Sequence, residues 1–183
     1  QWSWKFYHPG ATTPSEFLYV PKDTPAKFVL TSTDVIHSFW IPVLGGKMDA
    51  IPGRTTVLRL TPTKPGTYRG VCAEFCGPGH ALMAFPVLVH EAGDFPAWLE
   101  AQRAPAAARS DVFTDAGCGA CHTVRGVTEA GSVGPDLTHF GSRQTIGAGT
   151  LENTRDNLIA WLTAPEHIKP GVGMPAYGSL PEA

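Results

Sequence analysis

The sequence is short of charge, of cysteine and of long apolar runs, and each shortage excludes something. Charged residues make up 16% of the 183, and the formal net charge is −2. That balance argues against nucleic acid as a partner. The longest apolar stretch, residues 81–89, is interrupted by Pro86 and is too short to cross a bilayer. No secretory leader is visible at Gln1. The four cysteines fall into two close pairs, Cys72/Cys76 and Cys118/Cys121. Both pairs sit in candidate metal or cofactor motifs, so none is left for a structural disulfide. With 43% hydrophobic residues the chain reads as globular, of one domain or two.

What is present concentrates in Cys72-Ala-Glu-Phe-Cys76-Gly-Pro-Gly-His80-Ala-Leu-Met83. Gly77-Pro78-Gly79 cannot sit inside a helix, so this is a loop wrapped around something. Thiols and a thioether are soft ligands that favour copper, and imidazole suits copper and zinc alike. A structural zinc site closes with four Cys or His ligands and has no use for a thioether. A mononuclear blue-copper site takes one Cys, two His and a weak axial Met. The loop has one Cys more than that and one His fewer. His37, in Asp34-Val-Ile-His-Ser-Phe-Trp40, is the candidate for the second imidazole. Two thiolates, two imidazoles and a thioether suit two copper ions sharing both sulfurs. A plain Cys72–Cys76 disulfide is the alternative, and it leaves the rest of the pattern unexplained. On a strand, His37 shares a face with Val35, Phe39 and Ile41, where a histidine is commonly a hydrogen-bonded core residue. The need for a second imidazole favours ligation.

The flanking chain divides in two. Residues 28–30, 35–41, 56–60 and 85–90 read as strands, punctuated by prolines at spacings that suit a β-sandwich or barrel. Residues 94–100 form a closing helical turn, and 101–109 are Ala-rich with no large apolar residue, the composition of a linker. From 110 the pattern turns helical. Ser110 caps a short helix carrying Val112, Phe113 and Ala116, which delivers Cys118-Gly-Ala-Cys121-His122, the pattern of c-type haem attachment. Two thiols three apart add across the vinyl groups of one porphyrin edge, and the adjacent His then lies under the iron. Zinc would need a second ligand pair, and a redox Cys-x-x-Cys would need a strand before it. For the sixth iron ligand the candidates are Met174, His139 and His167. Met174 lies in an irregular Gly/Pro loop, where a gap-filling core Met is not expected, and is preferred. A His/Met iron has a raised potential, as suits an electron carrier. Residues 153–163, with Leu158, Ile159 and Leu162, read as the helix before that loop.

The segment from Cys72 to Met83 resembles the dinuclear copper (CuA) loop of cytochrome c oxidase subunit II. Asp34-Val-Ile-His-Ser-Phe-Trp40, residues 45–54 and the opening Gln1-Trp-Ser-Trp4 resemble other segments of that family. For residues 1–100 the resemblance implies a cupredoxin-like Greek-key barrel, all β. It also implies copper ligation by His37, Cys72, Cys76, His80, Met83 and the main-chain carbonyl of Glu74. The Glu74 side chain would face subunit I and help hold a magnesium ion. Trp2 would pass electrons on the way to copper, although Trp2 and Trp4 as plain sequence read equally as edge-strand packing. Residues 110–183 resemble a class I cytochrome c, a small all-α fold with covalent haem c on Cys118 and Cys121. In it Gly134-Pro-Asp-Leu137 matches the segment whose proline carbonyl orients the proximal histidine, here Pro135 and His122. That fold normally continues with a helix after the Met loop, and the expectation here is a domain without it.

Neither site has the open coordination position that catalysis at a metal needs, so the pair reads as an electron relay. A one-electron step between centres of similar potential runs either way, since ~59 mV is a factor of ten in equilibrium. The resemblance implies a respiratory donor, such as a soluble cytochrome c or a quinol-oxidising cytochrome complex. Electrons would pass through haem c and the copper pair to subunit I, which reduces O2 and pumps protons beside subunit III. It places the chain on the extracytoplasmic, periplasmic face of a bacterial cytoplasmic membrane, anchored by two transmembrane helices ahead of Gln1. Alternatives are the electron-accepting region of a nitrous oxide reductase and a free soluble electron-transfer module. Gln1-Trp-Ser-Trp4 and residues 45–54 favour the oxidase.

Overall fold

The computed structural model describes residues 2–11, 13–106 and 111–178. Seven strands come first: β1 (Leu18–Pro21), β2 (Ala26–Leu30), β3 (His37–Trp40), β4 (Met48–Ala50), β5 (Thr56–Leu60), β6 (Gly66–Cys72) and β7 (Phe85–His90). Five form one curled sheet, a half-barrel in the order β1-β7-β6-β3-β4, and β2 pairs with β5. Alternation is cleanest in β7, where Phe85, Val87 and Val89 point inward. Those residues share one core with Leu18, Val20, Leu30, Phe39, Ile41 and Leu60. Phe39 stacks on Phe85 at 5.2 Å, and Trp4 meets both edge-on at 5.6 Å. Each such buried side chain contributes roughly 1.5–3 kcal/mol.

The strands expected at 28–30, 56–60 and 85–90 lie in β2, β5 and β7. The one expected over 35–41 begins later, at His37. Asp34 Oδ1 accepts hydrogen bonds from Ser32 Oγ and the Val35 amide, a local turn that leaves Val35 46% exposed. His37 therefore shares its inward face with Phe39 and Ile41 but not with Val35. β1, β4 and β6 carry no such sequence signal: β4 is three residues long, and β6 is broken by Gly66 and Gly70. The turn expected at 94–100 is α1 (Phe95–Ala101), whose Trp98 stacks on Tyr19 of β1 at 3.8 Å. Beyond it the chain is tied down at Arg103, which bonds Gly10 O at 3.1 Å, and at Ala106, whose amide donates to Arg125 O.

The second part has few and small helices: α2 (Asp111–Asp115), α3 (Arg155–Thr163) and α4 (Pro165–Ile168). Two short strands, β8 (Thr145–Ile146) and β9 (Leu151–Glu152), interrupt what was expected to be all helix. The Ser110 cap and residues 179–183, where a helix after the Met loop would begin, lie outside the described residues. Thr154 starts α3 by accepting the Asn157 amide, and Trp161 is its buried anchor, while Ile159 faces water. The two parts touch. Arg143 pairs with Glu16 at 2.6 Å across the boundary, both side chains largely buried. No described helix is long and apolar enough to cross a membrane.

Candidate metal centre

Strand pairing builds the first site. β3 lies beside β6 with Phe39 opposite Cys72, so His37 and Cys72 end on adjacent strands. The chain then loops from β6 to β7 through a 3-10 turn at His80–Leu82, bringing Cys76, His80 and Met83 back over Cys72. The two sulfurs are 3.9 Å apart. Cys72 Sγ lies 4.0 Å from His37 Nδ1 and 3.2 Å from the Glu74 carbonyl oxygen. Cys76 Sγ lies 3.6 Å from His80 Nδ1 and 3.3 Å from Met83 Sδ. The donor groups expected there thus gather about the two sulfurs, His37 and the Glu74 carbonyl beside Cys72 and His80 and Met83 beside Cys76, and those of His37, Cys72 and Cys76 lie within 4.8 Å of one another. Both thiols are free and 8% exposed.

The donor set fits a metal. Sulfurs that share one ion at a bond of ~2.3 Å lie no more than about 4.6 Å apart, and this pair falls within that limit. Burial, and then the neighbouring Cys72, push the Cys76 thiol up to about 12, so two adjacent thiolates require cations to balance them. His37 Nε2 lies 2.8 Å from Asp34 Oδ1, which fixes the ring with Nδ1 toward the sulfurs. Burial works against the Asp34 carboxylate, but hydrogen bonds from His37, Val35 and Ser32 outweigh it and hold the carboxyl below its ordinary value. Asp34 was not singled out by sequence; its signal is a carboxylate three residues before a candidate ligand. The Ser38 amide also points at Cys72 Sγ, at 3.5 Å.

Two tryptophans brace the loop from outside. Trp4 Nε1 donates to the Met83 carbonyl at 3.2 Å, and Trp2 Nε1 to the Cys76 carbonyl at 3.0 Å. Trp2 lies flat on Gly79, where a Cβ would come within 2.5 Å of the indole. Trp4 packs on the sheet core at Phe39 and Phe85 as well as on the loop, whereas Trp2 packs beside the loop sulfurs. The Glu74 side chain is exposed, and Phe75 beside it is 77% exposed. Among the described residues only His37, Cys72 and Cys76 form a group of three or more potential metal-ligating side chains, and the Glu74 side chain belongs to no such group.

The second site follows α2. Gly117 turns left-handed, with φ +73, into a 3-10 turn at Cys118–Ala120 that presents the free thiols of Cys118 and Cys121. The His122 imidazole is held through Nδ1, 2.8 Å from the Pro135 carbonyl, leaving Nε2 for an iron. The Gly134 amide donates to Cys121 O and closes that loop. Met174 is half-buried in irregular chain after α4. His139 Nε2 is engaged by Arg125 at 3.1 Å, and His167 is exposed on α4.

Both parts of the chain match known families. Residues 13–92 match the family model described as cytochrome c oxidase subunit II, periplasmic domain, and residues 106–183 match that of cytochrome c. The chain joins a cytochrome c oxidase subunit II domain to a cytochrome c domain. Cytochrome c oxidase subunit 2 of Alkalihalophilus pseudofirmus is 40% identical over 100% of this chain and 55% of its own length. That of Bacillus sp. strain PS3 is 36% identical over 100% of this chain and 56% of its own. The chain thus spans about half the length of these relatives. The solved periplasmic domain of subunit II from Bradyrhizobium japonicum is 35% identical, covers 50% of this chain and 66% of its own, and gives a TM-score of 0.46. The subunit II family implies CuA copper, the cytochrome c domain implies haem, and a periplasmic domain implies an extracytoplasmic place.

Proposed function

We propose that this chain is the electron-transfer arm of a terminal respiratory oxidase. The observation that carries the reading is the convergence of Cys72, Cys76, His37, His80, Met83 and the Glu74 carbonyl within about one metal cluster's width. Those groups would hold the copper pair. Cys118 and Cys121 would hold haem c covalently, with His122 and Met174 as its axial ligands. The engagement of His139 by Arg125 and the exposure of His167 support Met174. Copper and haem, when bound, would each supply one-electron chemistry. The residues do the rest: Asp34 and Pro135 orient the imidazoles, and burial keeps water from the sulfurs.

In this reading a soluble cytochrome c or a quinol-oxidising complex delivers electrons to the second domain. The first domain passes them to subunit I, where O2 is reduced and protons are pumped, with subunit III alongside. Trp2, bonded to the Cys76 carbonyl, lies on the way to copper. The exposed Glu74 and Phe75 would face subunit I, with any magnesium drawing its other ligands from that partner. Membrane helices ahead of residue 1 would anchor the whole on the periplasmic face. Metal analysis should give two coppers per haem iron, with electron paramagnetic resonance showing hyperfine structure from two equivalent copper nuclei. One copper per iron, or zinc, would overturn the reading. Met174→Ala should change the haem spectrum, and an unchanged one would return the role to His139 or His167.

A further inference from the structure

Lysine is ordinarily a surface residue. Lys169, the only lysine after Lys64, is 3% exposed. Its Nζ donates to the Leu82 carbonyl in the copper loop and to the Gly147 carbonyl in the β8–β9 turn, each at 3.0 Å. Thr150 Oγ1 reaches the same Leu82 carbonyl at 3.5 Å. Gly149 presses so close to the loop that a Cβ there would lie 2.6 Å from the Ala84 carbonyl oxygen. Gly171, with φ +83, packs on Trp2, where a Cβ would lie 2.4 Å from the ring. Trp2 is thus held between the loop glycines and the chain that leads to Met174. Turn 147–150, Lys169 and Gly171 together cover the outer side of residues 77–84.

We propose that Lys169 is a positioning residue: with the Gly171–Trp2 contact it clamps the haem-bearing domain onto the copper loop. The clamp sets the separation of the two redox sites and closes that side of the loop to an outside donor. This rests on the assignment of the two sites given above. A buried amine satisfies two carbonyls of partly buried residues from different domains at once. An apolar side chain of similar length would leave the two carbonyls to share the single Thr150 hydroxyl when docked, so that one stays unpaired, while undocking would return it to water. Loss of the amine therefore penalises the docked state alone. Burial pushes the Lys169 amine down to about 8, partly countered by Glu16, and even the neutral amine keeps two donors for its two acceptors. Haem iron held by His122 and the copper pair held by Cys72 and Cys76 would supply a one-electron exchange, iron as reductant and copper as oxidant, and the clamp would only fix their separation. No proton moves and no bond breaks.

The test uses the metal-loaded full chain and acetic anhydride as amine probe. Lys169 should acetylate at least about tenfold more slowly than the exposed Lys27 and Lys47, because reaction waits on opening of the contact. In Lys169→Met, amide exchange at residues 82–85 and 147–150 should rise together. Electron equilibration after photoreduction of the haem should slow about tenfold, as the docked fraction falls, with both metal spectra unchanged. Lys169 reacting as fast as Lys47 would overturn the clamp, even where Lys169→Met fails to fold. Raised exchange with an unchanged rate would overturn its part in positioning. Absence of paired copper would sink the functional reading instead, while acetylation and exchange would still report on the contact.

Discussion

Among the described residues, 17–89 bury sixteen apolar side chains, Pro62 included, whereas 111–178 bury three, Ile146, Trp161 and Pro165. The first part closes a core of its own, and its metal loop hangs from finished strands through Trp4 and the β3–β6 pairing. The second has helices of at most nine residues, too short to hold their shape without tertiary packing. So small a core depends on its prosthetic group for apolar contact. Similar redox duties thus rest on different sources of order: a sheet that precedes its metal, and a cofactor that completes its domain.

The strongest way to break that comparison is to prevent haem attachment. With Cys118 and Cys121 both changed to Ser, the second part should lose its amide-exchange protection while copper binding and the sheet persist; a protected second part would refute the difference. Next in size, Phe39→Ala should cost ~3–5 kcal/mol in urea unfolding followed at the sheet, with the haem spectrum unmoved. A pH series sharpens the first half further. Burial lowers the His8 imidazole to about 4, and its Nε2 accepts the Tyr19 amide. The fold prefers neutral His8, so this stability is complete above about 6.5 and drains away as pH falls through 4. The loss is on the order of 3 kcal/mol, read as a drop in urea midpoint that His8→Gln should abolish. Smallest, Thr154→Ala should cost about 1 kcal/mol by uncapping α3, visible as faster exchange in that helix only.

Much of the candidate site was legible because four of its expected donor groups lie between Cys72 and Met83, and simple ligand counting then pointed to His37. The strands that alternate, such as β7, were legible for the same local reason. β6 was not, since Gly66 and Gly70 remove the pattern and pairing alone makes it a strand. Asp34 looked like one more surface acid until the fold turned it onto His37. Contact between the domains was hidden deepest. Arg143, Glu16 and Lys169 carry the chemistry of exposed residues, and only partners brought from far along the chain make them buried.

Trp2 and Trp4 precede the sulfur loop in the chain, and Lys169 comes long after it. During synthesis, which folds earlier segments first, the braced cradle is finished while its cover has yet to be made. There is therefore an interval in which Leu82, Ala84 and Trp2 lack the contacts that Lys169, Gly149 and Gly171 later supply. Covering them is left to the last part of the chain, so the order of maturation is built into the order of the residues.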